Sequence, residues 1–126
     1  MLEKPPKRHL MTDKILVLVT CGNAREAEEI ARSLVEKKLA ACVNVLPGLT
    51  SWYWWENKLT QDQEILLIIK SSRDFFGELE KEVLRLHSYA VPEVVALPIV
   101  EGSANYLNWI DQSIRSSDGS RVRSDE

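Results

Sequence analysis

The sequence contains little of what stabilises small secreted proteins or anchors membrane proteins. Its 126 residues include two cysteines, Cys21 and Cys42, which are too few for the disulfide framework of a small secreted domain. No apolar run approaches the roughly 20 residues that span a membrane. Residues 1–13 also lack the apolar stretch of a secretory signal. We therefore expect reduced thiols, no membrane span and a cytoplasmic location.

A concentration of positive charge is absent as well. The net charge is −3, and lysines and arginines are scattered apart from a cluster at residues 4–8, in a proline-containing stretch. A protein that follows a nucleic-acid backbone needs several cations converging on one face. We therefore do not expect nucleic acid as a partner.

Motifs of the common enzyme classes are also missing. The chain has no nucleophile elbow, no glycine-rich phosphate loop and no usable Ser-His-Asp order. Cys21 with His87 could support nucleophilic catalysis, but no motif supplies an orienting partner or an oxyanion hole. The sequence therefore predicts a protein that is not an enzyme.

The residues that are present suit one folded domain. Apolar residues make up 44% of the chain and charged residues 28%, as in an ordinary globular protein. A chain of this length can bury a core without disulfides or a structural metal. We predict a domain at residues 14–115, a flexible tail at 1–13 and a disordered tail at 116–126.

Hydrophobic periodicity predicts four strands and three helices. Apolar and alternating segments place the strands at residues 15–21, 40–55, 58–70 and 93–100. The helices follow predicted caps at Asn23, where Glu26 three residues later suits a capping box, at Ser71 or Ser72, and at Ser103. The fold class is therefore α+β, because the first six elements match the ferredoxin-like split βαβ plan (βαββαβ) with an antiparallel sheet. The last helix is an addition at the C-terminus.

The central hairpin is unusually long for a domain of this size. Its arms run about 13–16 residues, against about 5–6 for a typical strand, and they turn at Glu56-Asn57. A break at Pro47-Gly48 indicates a bulge. The aromatic residues 52–55 then lie on an overhanging arm, where an uncovered edge favours aggregation. We expect another copy of the chain to cover them; the alternative is packing against the last helix of the same subunit.

Three groups of motifs resemble the CutA family of divalent-cation-tolerance proteins. They are residues 38–44 (KLAACVN), the hairpin residues Ser51, Tyr53, Trp55, Asp62, Glu64 and Ile69–Ser71, and a closing segment that runs from His87 through Pro92, Glu93 and Leu97–Ile99 to Trp109-Ile110. Their order and spacing cover residues 15–114. The resemblance implies a homotrimer with a site in each cleft between neighbouring chains, and copper or another divalent cation as the cofactor.

The resemblance points to a set of candidate site residues. The metal candidates are His87 and Cys21, each of which could instead be a packing residue. Candidates for the walls and rim of the ligand cleft are Lys70, Glu64, Tyr89, Glu93, Tyr53, Trp55, Tyr106 and Trp109. For Trp109 we favour a place in the core, and we expect Glu64 and Lys70 to share one strand face.

The chain also departs from the family pattern in ways that affect the metal prediction. Some bacterial members of the family have a cysteine where this chain has Val19 and a second histidine where it has Leu86. The proline after the loop histidine is replaced by Ser88, and the glycine of the hairpin turn by Asn57. We predict a homotrimeric protein that binds a divalent metal, copper first, in metal tolerance or signalling. The alternatives are a trimeric small-molecule sensor without a physiological metal and a scaffold that binds a protein partner.

Overall fold

A computed structural model describes residues 12–114, so residues 1–11 of the predicted N-terminal tail and all of the predicted C-terminal tail lie outside this range. The strands are β1 (Lys14–Cys21), β2 (Cys42–Trp55), β3 (Lys58–Ser72) and β4 (Val94–Pro98). The helices are α1 (Ala24–Glu36), α2 (Phe76–Leu86) and α3 (Ala104–Ser113), with a 3-10 turn at Arg73–Phe75. The predicted order and type of all seven elements are confirmed. Thr12 and Asp13, placed in the tail by the sequence, form hydrogen bonds with Ile99 and Arg73.

The four strands form one sheet in the order β2-β3-β1-β4, and each neighbouring pair is antiparallel. This order is that of the ferredoxin-like plan, so the predicted fold class is confirmed. β4 is shorter than predicted because it pairs with β1 only from Ile15 to Val19. Beyond Pro98 one further backbone bond, from Ile99 N–H to the Lys14 carbonyl, holds the chain to β1.

Side chains alternate between the two faces of the sheet. On one face, the central residues Val17, Val19, Leu67 and Ile69 are fully buried in the core beside α1 and α2. On the opposite face, the exposed large apolar residues are Leu46, Val95 and Leu97, each nearly half exposed. The core therefore lies on one side of the sheet, and a single chain covers the other side only in part.

The long hairpin is confirmed, with arms of 14 and 15 residues. Glu56 and Asn57 both have positive φ, as the two central residues of a type I′ hairpin turn require. The predicted bulge lies between Leu46 and Leu49, and Gly48 adopts φ +85° there, a conformation that favours glycine. From Lys58 to Glu64, β3 pairs only with β2, so the distal part of the hairpin extends beyond the sheet.

Two predicted helix caps differ from what the structure shows. Asn23 does cap α1, since its side chain accepts a hydrogen bond from Glu26 N–H at 2.8 Å. Ser71 lies inside β3, and Ser72 precedes the 3-10 turn without capping it, because its hydroxyl bonds to Asp13 instead. Ser103 precedes α3 without a side-chain cap bond.

The last helix contributes different residues to the core than expected. Ile110 and Ile114 are fully buried, whereas Trp109 is 42% exposed. The core position predicted for Trp109 is therefore wrong in the single chain. Its ring instead stacks on Tyr106, with centroids 5.5 Å apart. Lys14, which is buried, fixes α3 to β1 through an ion pair with Asp111 at 2.8 Å.

Candidate metal centre

Three side chains that can bind a metal ion lie close together at the C-terminal end of β1. Cys21, Glu26 and His87 each offer one ligand atom, and these atoms lie within 4.8 Å of one another. It is the one such group of histidine, cysteine and acidic side chains found among residues 12–114. The two metal candidates from the sequence, Cys21 and His87, are therefore brought together, with a carboxylate beside them.

Secondary structure positions all three residues. Cys21 is the last residue of β1 and points into the core. Asn23 starts α1 directly afterwards, which places Glu26 in the first helical turn. His87 is the cap residue at the end of α2, where its backbone N–H donates to the Val83 carbonyl at 2.9 Å. The site is thus held by one strand end and two helix ends.

The hydrogen bonds of the His87 ring determine which nitrogen is available. Tyr89 N–H can only donate, and it donates to Nδ1 at 3.1 Å. Nδ1 is therefore the acceptor nitrogen, and the neutral ring carries its hydrogen on Nε2, which donates to the Thr20 carbonyl at 2.7 Å. Nδ1 is the ring nitrogen that lies beside Glu26.

Glu26 meets this ring with an oxygen that has no donor. Its Oε2 lies 3.2 Å from His87 Nδ1, yet it has no hydrogen-bond partner and is buried. Two acceptor atoms thus face each other out of contact with water. Such an arrangement is costly unless a proton or a cation lies between them.

Cys21 completes the group from the strand side. Burial raises the pKa of its thiol to about 12, and the negative charges of Glu26 and Glu64 add to the rise. The thiol is therefore protonated at neutral pH. A divalent cation would reverse this preference, because metal coordination favours the thiolate.

Tyr89 covers the group from outside. Its ring lies 4.7 Å from the His87 ring, and its hydroxyl donates to Glu64 Oε2 at 2.8 Å. Ser51 of β2 donates to the other Glu64 oxygen at 2.7 Å. Gly22 permits this close approach, because a Cβ there would lie 2.9 Å from the Tyr89 hydroxyl. Tyr89 and Glu64, both predicted cleft residues, therefore form the rim above the three-residue group.

The other predicted cleft residues lie elsewhere. Lys70 bonds to Asn44 and lies 3.9 Å from the Cys42 sulfur, so it does not meet Glu64 although both are on the same face of β3. Glu93 is exposed and directly precedes β4, and the carboxylate beside His87 comes from Glu26. The exposed aromatic candidates are Tyr53, whose hydroxyl bonds to Asp62, Trp55 near the hairpin tip, and Tyr106 and Trp109 on α3.

The donor set suits a borderline divalent cation. Imidazole nitrogen and thiolate sulfur are ligands of copper and zinc, and a carboxylate oxygen completes a common mixed set. The unpartnered Glu26 oxygen is an observation in favour of a cation, since buried polar atoms almost always have partners. The residues present therefore fit such an ion.

Glu26 was assigned from the sequence only as a partner in the cap of α1. The pattern nevertheless held a signal, because Glu26 stands four residues before Ile30 and eight before Leu34. All three side chains are buried on the inner stripe of α1. An acidic residue in an otherwise apolar stripe indicates a polar group buried beside it, and here that group is His87.

The fold and this buried group define a ferredoxin-like α+β protein with a candidate cation site. The family model of the CutA1 divalent ion tolerance protein matches residues 15–113. The chain belongs to this family, which confirms the resemblance drawn from the motifs.

Relatives from bacteria, plants and animals support this assignment. The divalent-cation tolerance protein CutA of Thermus thermophilus is 48% identical over 98 residues, which are 78% of this chain and 95% of the relative. The human protein CutA is 46% identical over the same share of this chain. The crystal structure of CutA1 from Oryza sativa superposes with a TM-score of 0.82 at 44% identity, covering 86% of this chain and 99% of that one.

The relatives differ in length and in described location. The match spans 55% of the human protein and 58% of the chloroplastic CutA 1 of rice. A solved structure from Archaeoglobus fulgidus is described as a periplasmic divalent cation tolerance protein. Within residues 12–114 of the present chain, the helices are too short and too polar to cross a membrane.

Proposed function

We propose that this protein binds a divalent metal ion through His87 and Cys21 and acts in metal tolerance, with copper as the first candidate and without enzymatic activity. The observation that supports this most is the convergence of Cys21, Glu26 and His87 within 4.8 Å. The family is named for tolerance to divalent ions. The cytoplasm is the proposed compartment, where thiols stay reduced and able to bind metal.

Two structural features support the binding of a metal ion at a site that is buried from water. Cys21 and the His87 side chain are fully buried, so a bound ion is shielded from water. His87 Nδ1 has its only described donor in a backbone N–H of the Tyr89 loop. A loop bond is easily exchanged for a metal bond, and a cation there also neutralises the charge of Glu26.

The protein acts as a homotrimer in this proposal. Support comes from the surfaces that one chain leaves uncovered: the half-exposed apolar face of the sheet and the distal hairpin, where Trp54 is 71% exposed. Exposed aromatic patches on an extended β-hairpin mark association surfaces. Tyr53, Trp55, Tyr106, Trp109, Lys70 and Glu93 then lie near the clefts between chains.

The test is a titration of the purified chain and of His87→Ala with Cu²⁺ and, as a cation without redox chemistry, Zn²⁺. Calorimetry measures the affinity, and light scattering measures the mass. We expect submicromolar binding to a trimer and an affinity at least tenfold weaker in the variant, about 1.4 kcal/mol. Equal or negligible binding by both proteins would contradict the metal function and favour the sensor or the scaffold hypothesis.

A further inference from the structure

The position of Glu26 is set by the N-terminal cap of α1. Asn23 accepts hydrogen bonds from Glu26 N–H at 2.8 Å with its side chain and from Ala27 N–H at 3.1 Å with its backbone carbonyl. This cap fixes the first turn of α1 and turns the Glu26 side chain toward the core. Carboxylates in a first turn usually face water, where they favour the helix N-terminus; Glu26 is only 9% exposed.

The atoms around Glu26 Oε2 offer it no proton. His87 Nδ1 accepts from Tyr89 N–H, and the hydrogen on the ring is used by the Thr20 carbonyl through Nε2. The Cys21 thiol is a weak donor, and the Glu26 oxygen has no hydrogen bond to it. If a proton instead occupied the space between Nδ1 and Oε2, the bond from Tyr89 N–H would be lost. A proton or cation that joins His87 Nδ1 to Glu26 Oε2 therefore requires Tyr89 N–H to give up its bond to Nδ1.

We propose that Glu26 Oε2 is the third ligand of the site, so that Cys21 Sγ, Glu26 Oε2 and His87 Nδ1 together bind a borderline divalent cation such as Zn²⁺. This inference rests on the proposed metal-binding function and assigns a ligand within it. On binding, the Cys21 S–H bond breaks and a sulfur–metal bond forms, and the proton passes to solvent. Tyr89 N–H releases Nδ1, which then donates its lone pair to the ion.

The composition of the site has a consequence for its use. Structural zinc sites are closed by four protein ligands, whereas sites with three protein ligands keep a position for water or an exchanging group. One thiolate and one carboxylate also carry two negative charges, which balance a divalent ion in a buried place. A site of this kind suits reversible uptake of an ion and does not hold the fold together.

The experiment compares Glu26→Gln with the wild type and with Glu82→Gln as the matched control. Gln replaces either carboxylate at nearly constant volume. Glu82 of α2 is about as buried as Glu26, but it lies outside the three-residue group and is bonded to Ser33, Lys37 and Arg85. Zn²⁺ affinity is measured by calorimetry. Co²⁺ serves as a spectroscopic probe, because thiolate–Co²⁺ charge transfer reports the bond to Cys21 directly.

We expect one Zn²⁺ per wild-type chain, at least a tenfold loss of affinity in Glu26→Gln and less than a threefold loss in Glu82→Gln. The charge-transfer band persists in Glu26→Gln at saturating Co²⁺ and is absent in Cys21→Ser. If the wild type binds Zn²⁺ and Glu26→Gln binds it within threefold, Glu26 is not a ligand although the metal function stands. If the wild type binds no cation, both proposals fail.

A folding defect would not hide the result. Glu26→Asp keeps the charge but shortens the side chain by one methylene, so it should bind Zn²⁺ with an affinity between those of the wild type and Glu26→Gln. Circular dichroism melting without metal shows whether each variant folds. An equal loss of affinity in Glu26→Asp, Glu26→Gln and the Glu82 control would overturn the assignment, because the effect would then not depend on the carboxylate in question.

Discussion

Two buried carboxylates lie on the inner faces of neighbouring helices, and their surroundings differ in kind. Glu82 of α2 is 7% exposed and is surrounded by donors. Ser33 Oγ, Lys37 Nζ and Arg85 Nη2 donate to its Oε2 at 2.5, 3.0 and 2.7 Å, and Arg85 Nε donates to Oε1 at 3.0 Å. Glu26 is about equally buried, but its Oε2 has no donor.

The difference separates a structural carboxylate from a candidate ligand. The hydrogen bond from Arg85 and those from Ser33 and Lys37 lower the pKa of Glu82 to about 2, so its charge is satisfied within the protein. Glu26 keeps an oxygen free beside an imidazole nitrogen that is also an acceptor. Burial of a carboxylate alone therefore does not indicate a function. The number of hydrogen-bond donors around the buried oxygen does.

The largest expected effect is stabilisation by the cation itself. Free Zn²⁺ at 100 times its Kd should raise the free energy of unfolding by about 2.7 kcal/mol, if the ion binds only the folded chain. Glu82→Gln should respond as the wild type does, since Glu82 is outside the site, whereas His87→Ala should not respond. Thermal unfolding with and without Zn²⁺ measures this. A full response in His87→Ala would place the ion elsewhere.

Without metal, substitution of Glu82 should cost more stability than substitution of Glu26. Glu82→Gln should lower the free energy of unfolding by about 2 kcal/mol, because charged hydrogen bonds from Arg85 and Lys37 are lost. Glu26→Gln should change it by less than about 1 kcal/mol, since no hydrogen bond to the Glu26 carboxylate is lost and the charge on a buried oxygen without a donor is removed. Urea denaturation of both variants checks this. A larger loss in Glu26→Gln would mean that Glu26 has a structural partner.

The dependence of stability on acidic pH provides a second test of the hydrogen bonds to Glu82. A carboxylate with a lowered pKa contributes stability above its unfolded value of 4.5 and loses that contribution as the pH falls toward 2. The wild type should therefore lose more stability than Glu82→Gln between pH 4.5 and 2. Urea denaturation at several pH values in this window tests the difference. Parallel curves for the two proteins would show that Glu82 does not have the lowered pKa.

The smallest expected effect comes from a substitution in the rim of the site, which Tyr89 and Glu64 form. Tyr89→Phe removes the hydroxyl that donates to Glu64 Oε2 at 2.8 Å, and we expect a loss of about 0.5–1 kcal/mol because the contact is partly exposed. The Zn²⁺ affinity should change less than threefold, since the substitution leaves the three ligand atoms unchanged. Exchange of Zn²⁺ should become faster as the rim loosens; stopped-flow release to a chelator measures this. Slower release would contradict a covering role for Tyr89.

Sequence reasoning predicted most of the fold because the signals were local. The apolar run of β1, the Asn23 cap and the Asn57 turn each depend on a few neighbouring residues, and all three were found. The end of β4 was missed because it depends on how far β1 can pair. The position of Trp109 was missed because helical spacing alone does not say which of two apolar stripes faces the sheet.

The candidate site was predicted in part for the same reason. Cys21 and His87 could be named from their chemistry, but they are 66 positions apart, and their proximity depends on the packing of α2 against β1. Glu26 looked like a capping residue, since its spacing from Asn23 is that of a capping box. Its second contact, with His87, is between helices, and no local pattern specifies it.

The most direct test is to locate the ion. A crystal of the protein grown with Zn²⁺ and measured at the zinc absorption edge shows bound zinc as an anomalous difference peak. The account predicts one peak per chain between Cys21 Sγ, Glu26 Oε2 and His87 Nδ1, with Tyr89 N–H withdrawn from Nδ1. A peak on exposed carboxylates, or an empty group with the Tyr89 bond intact at saturating Zn²⁺, would contradict it.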